Sequence, residues 1–181
     1  MIPAGFIAKN IHTSPDWLKA DAVADIYSVS NCVSGAFCDY IPHWKHNGYW
    51  LFDSPDVIRE IATAEKFDLS DQKFFYYEVH EQQYDDEFKA WQPFGPDTAF
   101  ATNVQVPAEK QLEGFDVVSF YALSAAECSP LSCNHMAETI PVNKHCLLAT
   151  FEEAKRLLES NAFKDCEPGP YRIFAVYTCP E

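Results

Sequence analysis

Two stretches of this chain match each other without a gap, 96 positions apart. Residues 47–62 read NGYWLFDSPDVIREIA, and residues 143–158 read NKHCLLATFEEAKRLL. A match held in one register over this length indicates an internal repeat, which has to be recognised before a fold is assigned. The same offset pairs the following residues: Cys32 with Cys128, Asn47 with Asn143, Leu51 with Leu147, Ser54 with Thr150, Ile61 with Leu157 and Phe67 with Phe163.

Weaker matches extend the repeat upstream when gaps are allowed. The string GFIAKNIHTSP resembles AFATNVQVP, and ADIYSVS resembles FDVVSFY, so that Asp25 aligns with Asp116. We interpret residues of about 4–81 and about 98–178 as two copies of one unit. The alternative is that any two stretches built as strand, capped helix and strand resemble each other.

Each copy predicts the same order of elements. N-cap signals predict one principal helix per copy: Ser54 stands before Pro55 in the first copy, and Thr150 stands three positions before Glu153 in the second. The remaining predicted elements are strands at 4–12 and 99–106, at 23–29 and 115–121, at 48–52 and 144–149, and at 73–81 and 170–178, with proline-started helical turns at 15–21 and 107–113.

The size of one copy predicts how the two copies are arranged. A unit of ~80 residues that buries one helical stripe is marginally stable alone. We expect an α+β fold in which two tandem strand-strand-helix-strand units pack about a pseudo-twofold axis in one compact globule, with a mixed or mostly antiparallel sheet. The expected boundaries are 1–81, an acidic aromatic linker at 82–97 with room for a short helix over 85–91, and 98–181. A ligand site is expected where the two halves meet.

The charge of the chain limits its partners and its location. Lys and Arg number 13 against 27 Asp and Glu, so the net charge of −14 argues against nucleic acid as a partner. No window approaches the ~20 apolar residues of a membrane-spanning helix, and the first residues lack the pattern of a secretory signal. We expect a cytoplasmic protein without a membrane partner, in an oligomeric state that the sequence leaves open.

Cysteine supplies the sharpest chemical hypothesis. A closed disulfide framework would leave one of the seven thiols over. Zinc binds four thiolates in a tetrahedron. If the cysteine pair of one copy met the matching cysteine pair of the other copy between the halves, the four thiolates would form one closed site. The alternatives are small thiols packed near the core, a redox-active pair and a disulfide. No cofactor is therefore predicted, and zinc is the one candidate, with these ligands: Cys32, Cys38, Cys128 and Cys133.

Complete catalytic motifs are missing from the chain. It has no G-x-G-x-x-G, G-x-x-x-x-G-K-[ST] or G-x-S-x-G string. The string HEQQY at 80–84 differs from the zinc-protease motif H-E-x-x-H because Tyr84 stands at the second histidine position.

Histidines near cysteines are the weak catalytic candidates. An imidazole beside a thiol lowers the pKa of the thiol and produces a nucleophilic thiolate, which makes Cys133, His135 and His145 candidates, with His43 and His46 in the corresponding region of the first copy. His145 and Cys146 are neighbours on a predicted strand, so their side chains are expected on opposite faces and not as a dyad.

Five carboxylates fall within ten residues that contain neither Lys nor Arg, and aromatic residues are interleaved with them. Clustered like charge speeds association with a basic protein, and Tyr and Trp are common interface anchors. The alternatives are a solvated charged face and a core face covered by the linker. The predicted binding residues are Glu78, Glu81, Tyr84, Asp85, Asp86, Glu87 and Trp91.

Two functions follow from these patterns, and whether the protein is an enzyme stays open. The first is an acidic, non-catalytic binding or inhibitory protein for a cationic partner, which in charge alone resembles the small acidic immunity and antitoxin proteins. The second is a small-molecule binder, or a thiol- or metal-dependent enzyme, with its site between the two repeats. A structural or regulatory component of an assembly is a third possibility that the sequence neither supports nor excludes.

Overall fold

A computed structural model describes residues 1–30, 47, 49–94, 103–120 and 127–180. In these ranges the chain has two helices and a six-stranded antiparallel sheet, which confirms the predicted α+β class. Neither helix is long and apolar enough to cross a membrane. The elements are β1 (Ile2–Lys9), β2 (His12–Thr13), β3 (Asp25–Ile26), α1 (Pro55–Glu65), β4 (Lys73–Val79), β5 (Gln82–Asp85), β6 (Ala90–Pro93), β7 (Gln111–Ser119), α2 (Phe151–Glu159) and β8 (Tyr171–Thr178), with a 3-10 turn at Met136–Glu138.

The centre of the sheet is formed by β4 and β8, which pair antiparallel with Tyr77 opposite Val176. β1 pairs with β4 on its other side, and β7 does the same with β8. β5 joins β8 through the pair Tyr84 and Tyr171, and β6 continues the sheet from β5. We call the line between β4 and β8 the seam.

Both helices begin where the capping signals predict. The Ser54 hydroxyl accepts a hydrogen bond from the backbone N–H of Val57 at 3.3 Å, with Pro55 in the first turn. The Thr150 hydroxyl accepts from the N–H of Glu153 at 3.2 Å. Each cap satisfies a backbone donor that the first helical turn leaves free.

One face of the sheet, the helix face, packs against the apolar stripes of the two helices. The stripe of α1 packs against Phe6 and Tyr76, and that of α2 packs against Tyr171 and Ile173. The stripe residues are Ile58, Ile61 and Ala62 in α1, and Ala154, Leu157 and Leu158 in α2.

The opposite face of the sheet, the loop face, is covered by connecting segments. Tyr27, Tyr49 and Leu147 from these segments pack against the sheet in one buried cluster. Because side chains alternate along a strand, β8 presents Phe174 and Val176 to this face. Aromatic side chains make up much of the cluster: Tyr27, Tyr49, Phe75, Tyr77, Phe120 and Phe174.

Two of the connecting loops make the same hydrogen bonds around an asparagine. In each loop the Asn Nδ2 donates to a carbonyl oxygen at 2.7 Å, and Oδ1 accepts from the backbone N–H groups two and four residues later at 2.9–3.3 Å. The partners are Ala4, Tyr49 and Leu51 for Asn47, and Glu113, His145 and Leu147 for Asn143.

A glycine follows each of the two carbonyl groups that accept from these asparagines. Gly5 has φ of 137° and Gly114 has φ of 151°, a region that side-chain-bearing residues rarely adopt. A Cβ atom at Gly5 would lie 2.8 Å from Leu51 Cβ, and one at Gly114 would lie 2.8 Å from Leu147 Cβ. Only glycine therefore lets β1 and β7 approach these loops.

Several predicted elements differ from the structure. The helical turn at 107–113 is wrong, because β7 begins at Gln111 and pairs along β8. In place of the predicted strands at 48–52 and 144–149, residues 49–52 and 144–149 form turns, each joined to the sheet by one isolated bridge, Phe6 to Phe52 and Phe115 to Leu148. Trp50 and Cys146 have φ of 59°, which ends any strand there.

The linker and the upstream alignment also need correction. The expected helix over 85–91 is a hairpin, because Tyr84 pairs with Trp91 and β5 extends the sheet. Asp25 lies in the two-residue strand β3, whereas Asp116 lies in β7, so the alignment of these two residues does not hold. In the sheet, the strand that corresponds to β7 is β1, because β7 pairs with β8 as β1 pairs with β4.

Candidate functional site

The loop face contains a fully buried arginine with unused hydrogen-bond donors. Arg172 of β8 is 0% exposed. Its Nη2 donates to the backbone oxygen of His80 at 2.9 Å. Neither Nε nor Nη1, which carry three of the five guanidinium N–H groups, finds a partner among the described residues. Buried polar groups are hydrogen-bonded in the great majority of cases, so these donors require an explanation.

Three aromatic rings surround this guanidinium. The Arg172 Cζ lies 3.4 Å from the ring centroid of Phe94, 5.1 Å from that of Tyr49 and 5.6 Å from that of Phe120. Phe94 in turn stacks on Tyr49 at 6.0 Å and meets Phe120 edge-on at 6.0 Å. The rings stabilise the cation through their π faces, and the side chain of Tyr49 adds a polar contact with the guanidinium.

Burial changes the acidity of Arg172 without removing its charge. Desolvation lowers the pKa of the guanidinium to about 10, and Tyr49 beside it opposes this shift. The group therefore remains a cation at neutral pH. A buried cation with unpartnered N–H donors is suited to bind a carboxylate or a phosphate through charge-assisted hydrogen bonds.

Tyr77 of β4 is the second buried polar side chain on the loop face without a partner. It is 0% exposed, and its hydroxyl makes no hydrogen bond within the described part of the chain. Its ring is edge-on to Phe174 at 6.3 Å and parallel to Phe75 at 6.1 Å. Burial, and then the charge of Asp116, raises the pKa of Tyr77 well above its ordinary value, so the phenol is neutral and can donate.

A third polar group on this face, Asp116, is fully satisfied. Its carboxylate accepts from the hydroxyls of Ser129 at 2.6 Å and Ser28 at 2.8 Å, and from the N–H of Val29 at 2.8 Å. Burial raises its pKa in spite of these bonds. The buried ammonium of Lys9 donates to the carbonyl oxygens of residues 28–30. Asp116 and Lys9 therefore hold the segment after β3 against the sheet, which is a structural role.

The structure describes only two of the four cysteines in the predicted thiol site. Cys32 and Cys38 lie outside the described residues. Cys128 is buried with its sulfur 3.6 Å from Asn134 Oδ1, and Cys133 has its sulfur 3.6 Å from the hydroxyl of Ser30. No group of three or more potential metal ligands occurs within the described ranges. The zinc hypothesis therefore stays a prediction.

The predicted histidine–thiol chemistry gains no support from the contacts of these residues. His135 lies against Glu138, at 3.2 Å, and against the ring of Trp17. Cys146, next to His145, is buried in the core, where desolvation raises the pKa of its thiol to about 12. At neutral pH this thiol is protonated and not nucleophilic. His43 and His46 lie outside the described residues.

His145 is instead part of a buried charge cluster. Its Nδ1 contacts Asp25, its Nε2 lies 3.4 Å from Glu113 Oε2, and its ring stacks on Tyr27 at 3.9 Å. These contacts join β3, β7 and the Asn143 loop. The imidazole is therefore a structural link between three segments, with both nitrogens in use.

The predicted acidic surface is largely engaged within the protein. Glu78 pairs with Lys110 and accepts from the Tyr177 hydroxyl at 3.0 Å. Burial raises the pKa of Glu78, but the hydrogen bonds from Lys110 and Tyr177 outweigh this and hold it below its ordinary value. Tyr84 is buried in the core beside Trp91, at 5.2 Å between ring centroids.

The remaining residues of this set form the hairpin and its turn. Asp85 accepts from the N–H groups of Glu87 and Phe88 at 3.0 and 2.9 Å, which shapes the turn. The Trp91 indole donates to Glu159 of α2 at 2.9 Å. Glu81 and Glu87 are exposed, Asp86 is half-buried, and the string HEQQY spans the turn from β4 into β5 without a helix.

Comparison with protein-family models, curated proteins and solved structures finds no match to this chain. The interpretation of its function therefore rests on the geometry of the chain itself.

Sequence reasoning missed both unpartnered groups of the loop face. The one available signal for Arg172 is its place in YRIFAVYT, where a single charged residue interrupts a strand that is apolar on both faces. Such a position buries the charge, and buried charges need a partner. Tyr77 carries no comparable signal, because tyrosine is common in strands.

Proposed function

We propose that this protein binds a small anionic molecule on the loop face beside the seam, with Arg172 as the anchor of the anionic group. The observation that carries the proposal is the pair of donor atoms, Nε and Nη1, that are buried without a partner in the described chain. A ligand carboxylate would accept a hydrogen bond from either atom. The rings of Phe94, Tyr49 and Phe120 would contact a planar, apolar ligand body.

The energetics favour a ligand over a purely structural role for Arg172. An unsatisfied buried donor costs about 1–3 kcal/mol, and more when it is charged, against a net stability of about 5–15 kcal/mol for a typical domain. A charge-assisted hydrogen bond between a guanidinium and a carboxylate in a desolvated site is among the strong polar contacts in proteins. Since the guanidinium is fully buried, a ligand reaches it only after one of the surrounding rings moves, and slow association is expected.

The proposal includes the origin of the site by duplication. We propose that the halves on the two sides of the seam descend from one unit. Support comes from the Asn47 and Asn143 loops with their matching hydrogen bonds, and from Gly5 and Gly114 in matching positions. In this arrangement a ligand meets the protein beside the line where the two units join.

Thermal unfolding and calorimetric titration with matched acids and amides test the proposal. Benzoate, 3-phenylpropionate and indole-3-acetate are compared with benzamide, 3-phenylpropanamide and indole-3-acetamide. A ligand at about 100 times its Kd stabilises the folded state by about 2.7 kcal/mol. We expect at least one acid to raise Tm and its amide to have no effect, and the Arg172→Met variant to lose the response. The proposal is wrong if no acid binds, or if acids and amides bind equally.

A second candidate function is binding of a cationic protein partner through the hairpin tip. Phe88, in the turn between β5 and β6, is 71% exposed and follows the exposed Glu87. An exposed aromatic ring beside carboxylates is a common interface anchor. Binding of cytochrome c, a basic protein, is measured at low and moderate salt with wild type, Phe88→Ser and the control Leu112→Ser on β7. Equal affinity for all three proteins contradicts a role of the tip.

A further inference from the structure

We infer that the ligand of Arg172 carries a second polar group, remote from its anionic end, which is recognised by the hydroxyl of Tyr77. This inference rests on the proposed function. It defines the ligand class as elongated aromatic acids with a hydroxyl or other hydrogen-bonding group at the far end.

The positions of the two side chains follow from the strand register. Tyr77 lies opposite Val176, and Arg172 lies four residues further along β8. The rise of ~3.3 Å per residue separates these two positions on β8 by about 13 Å. Side chains an even number of residues apart lie on the same face of a strand, so Arg172 faces the same side as Val176. Tyr77 is the cross-strand partner of Val176 and packs in the same cluster, so both Arg172 and Tyr77 belong to the loop face.

Buried aromatic rings lie along the interval between the phenol and the guanidinium, so a ligand that reaches both ends has to displace at least one of them. Phe174 lies between Tyr77 and Arg172 in the register, with its ring edge-on to Tyr77. Phe174 also stacks on Phe120 at 5.9 Å and an interplanar angle of 10°, and Phe120 is 5.6 Å from Arg172 Cζ. The path from Tyr77 to Arg172 is therefore aromatic along its length, with one polar group at each end.

The two ends share a property that sets them apart from the other polar groups of the loop face. Lys9 and Asp116 are hydrogen-bonded within the protein. Tyr77 and Arg172 have buried donors without partners in the described chain. Two unpartnered donors at the ends of one aromatic path fit a single ligand with two acceptors better than they fit two unrelated defects.

The experiment compares 3-phenylpropionate with 3-(4-hydroxyphenyl)propionate in calorimetric titrations. We expect wild type to bind the hydroxylated acid about 3- to 10-fold more tightly, the gain from one additional hydrogen bond. The Tyr77→Phe variant removes only the phenol oxygen and should bind both acids equally. The control variant Tyr27→Phe removes a phenol on the same face whose oxygen already accepts a hydrogen bond from Lys73 Nζ at 2.7 Å. This variant should keep the preference for the hydroxylated acid.

The outcomes separate this inference from the proposed function. If both acids bind and the ratio of affinities is the same in wild type and Tyr77→Phe, the recognition by Tyr77 is wrong and the anchoring by Arg172 stands. If neither acid binds wild type, the proposed function fails and this inference fails with it. Tyr77→Phe should melt at the wild-type temperature or above; a strongly destabilised variant would mean that the phenol has a partner within the protein, which overturns the inference.

Discussion

Replacement of Arg172 by methionine should make the unliganded protein more stable. The substitution removes a buried charge with three unpartnered N–H groups and fills most of the same space with an apolar chain. Buried charges replaced by apolar residues of similar volume often leave stability unchanged or raise it by about 1–4 kcal/mol. Binding sites commonly contain residues that lower the stability of the folded protein.

The expected size of the effect follows from three opposing contributions. Removal of the unpartnered donors raises the free energy of unfolding by about 1–3 kcal/mol for each group. Loss of the stacking on Phe94, Tyr49 and Phe120 forfeits up to about 2 kcal/mol. Loss of the bond to the His80 carbonyl leaves that acceptor free, at a cost of about 1–3 kcal/mol. With the two unpartnered atoms counted, the midpoints of these ranges leave a gain of about 1 kcal/mol, or roughly 2 to 4 °C in Tm for a chain of this length.

Urea and thermal unfolding of wild type and Arg172→Met measure this difference directly. The matched control is Arg59→Met on α1, because Arg59 is exposed and pairs only across the helix surface with Asp56, at 2.9 Å. The control should change the free energy of unfolding by less than about 0.5 kcal/mol. A loss of more than about 2 kcal/mol in Arg172→Met would refute the reasoning, because it would show that the guanidinium is satisfied inside the folded chain.

Three further outcomes are expected. Gly5→Ala and Gly114→Ala should each destabilise the protein by about 2–4 kcal/mol in urea unfolding, because the added Cβ meets backbone and side-chain atoms at 2.8 Å in a positive-φ conformation; a loss below about 0.5 kcal/mol in either contradicts the close approach. Because the folded-state pKa of Glu78 is held below its ordinary value of 4.5, its contribution to stability is present above that value and disappears as the pH falls through the lower folded pKa; Glu78→Gln should therefore flatten the acid side of the stability profile, and an unchanged profile would count against the pairing. Cys146, with a pKa raised to about 12 by burial, should resist iodoacetamide at pH 8 until urea is added, and rapid alkylation in the folded protein would mean that this thiol is accessible and ionised.

The elements that the sequence predicts correctly are those with local causes. Both helix starts follow from capping residues at fixed spacing, as in the step from Ser54 to Pro55 and in the pair Thr150 and Glu153. The closing strands β4 and β8 are rich in aromatic and branched residues, which suit a sheet in any context. Local signals of this kind do not depend on what the segment later packs against.

The elements that the sequence does not predict depend on partners far along the chain. Pro107 suggests a helical start, but the pairing of β7 with β8 makes a strand from Gln111 onwards. The acids near Asp85 suggest a solvated linker, but the contact of Tyr84 with Tyr171 draws the segment into the sheet. The candidate site depends on the same register, because the pairing of β4 with β8 places Tyr77 and Arg172 on one face of the sheet, about 13 Å apart.

The place of β8 in the sheet has a consequence during protein synthesis. Ribosomes make β8 after every strand it touches, and it lies between β7 on one side and β4 and β5 on the other. Until then, the aromatic strand β4 presents an open backbone edge, which is a template for pairing with other nascent chains. Folding rate should accordingly be limited by long-range closure, and we expect a chaperone that shields strand edges to raise the yield of this protein.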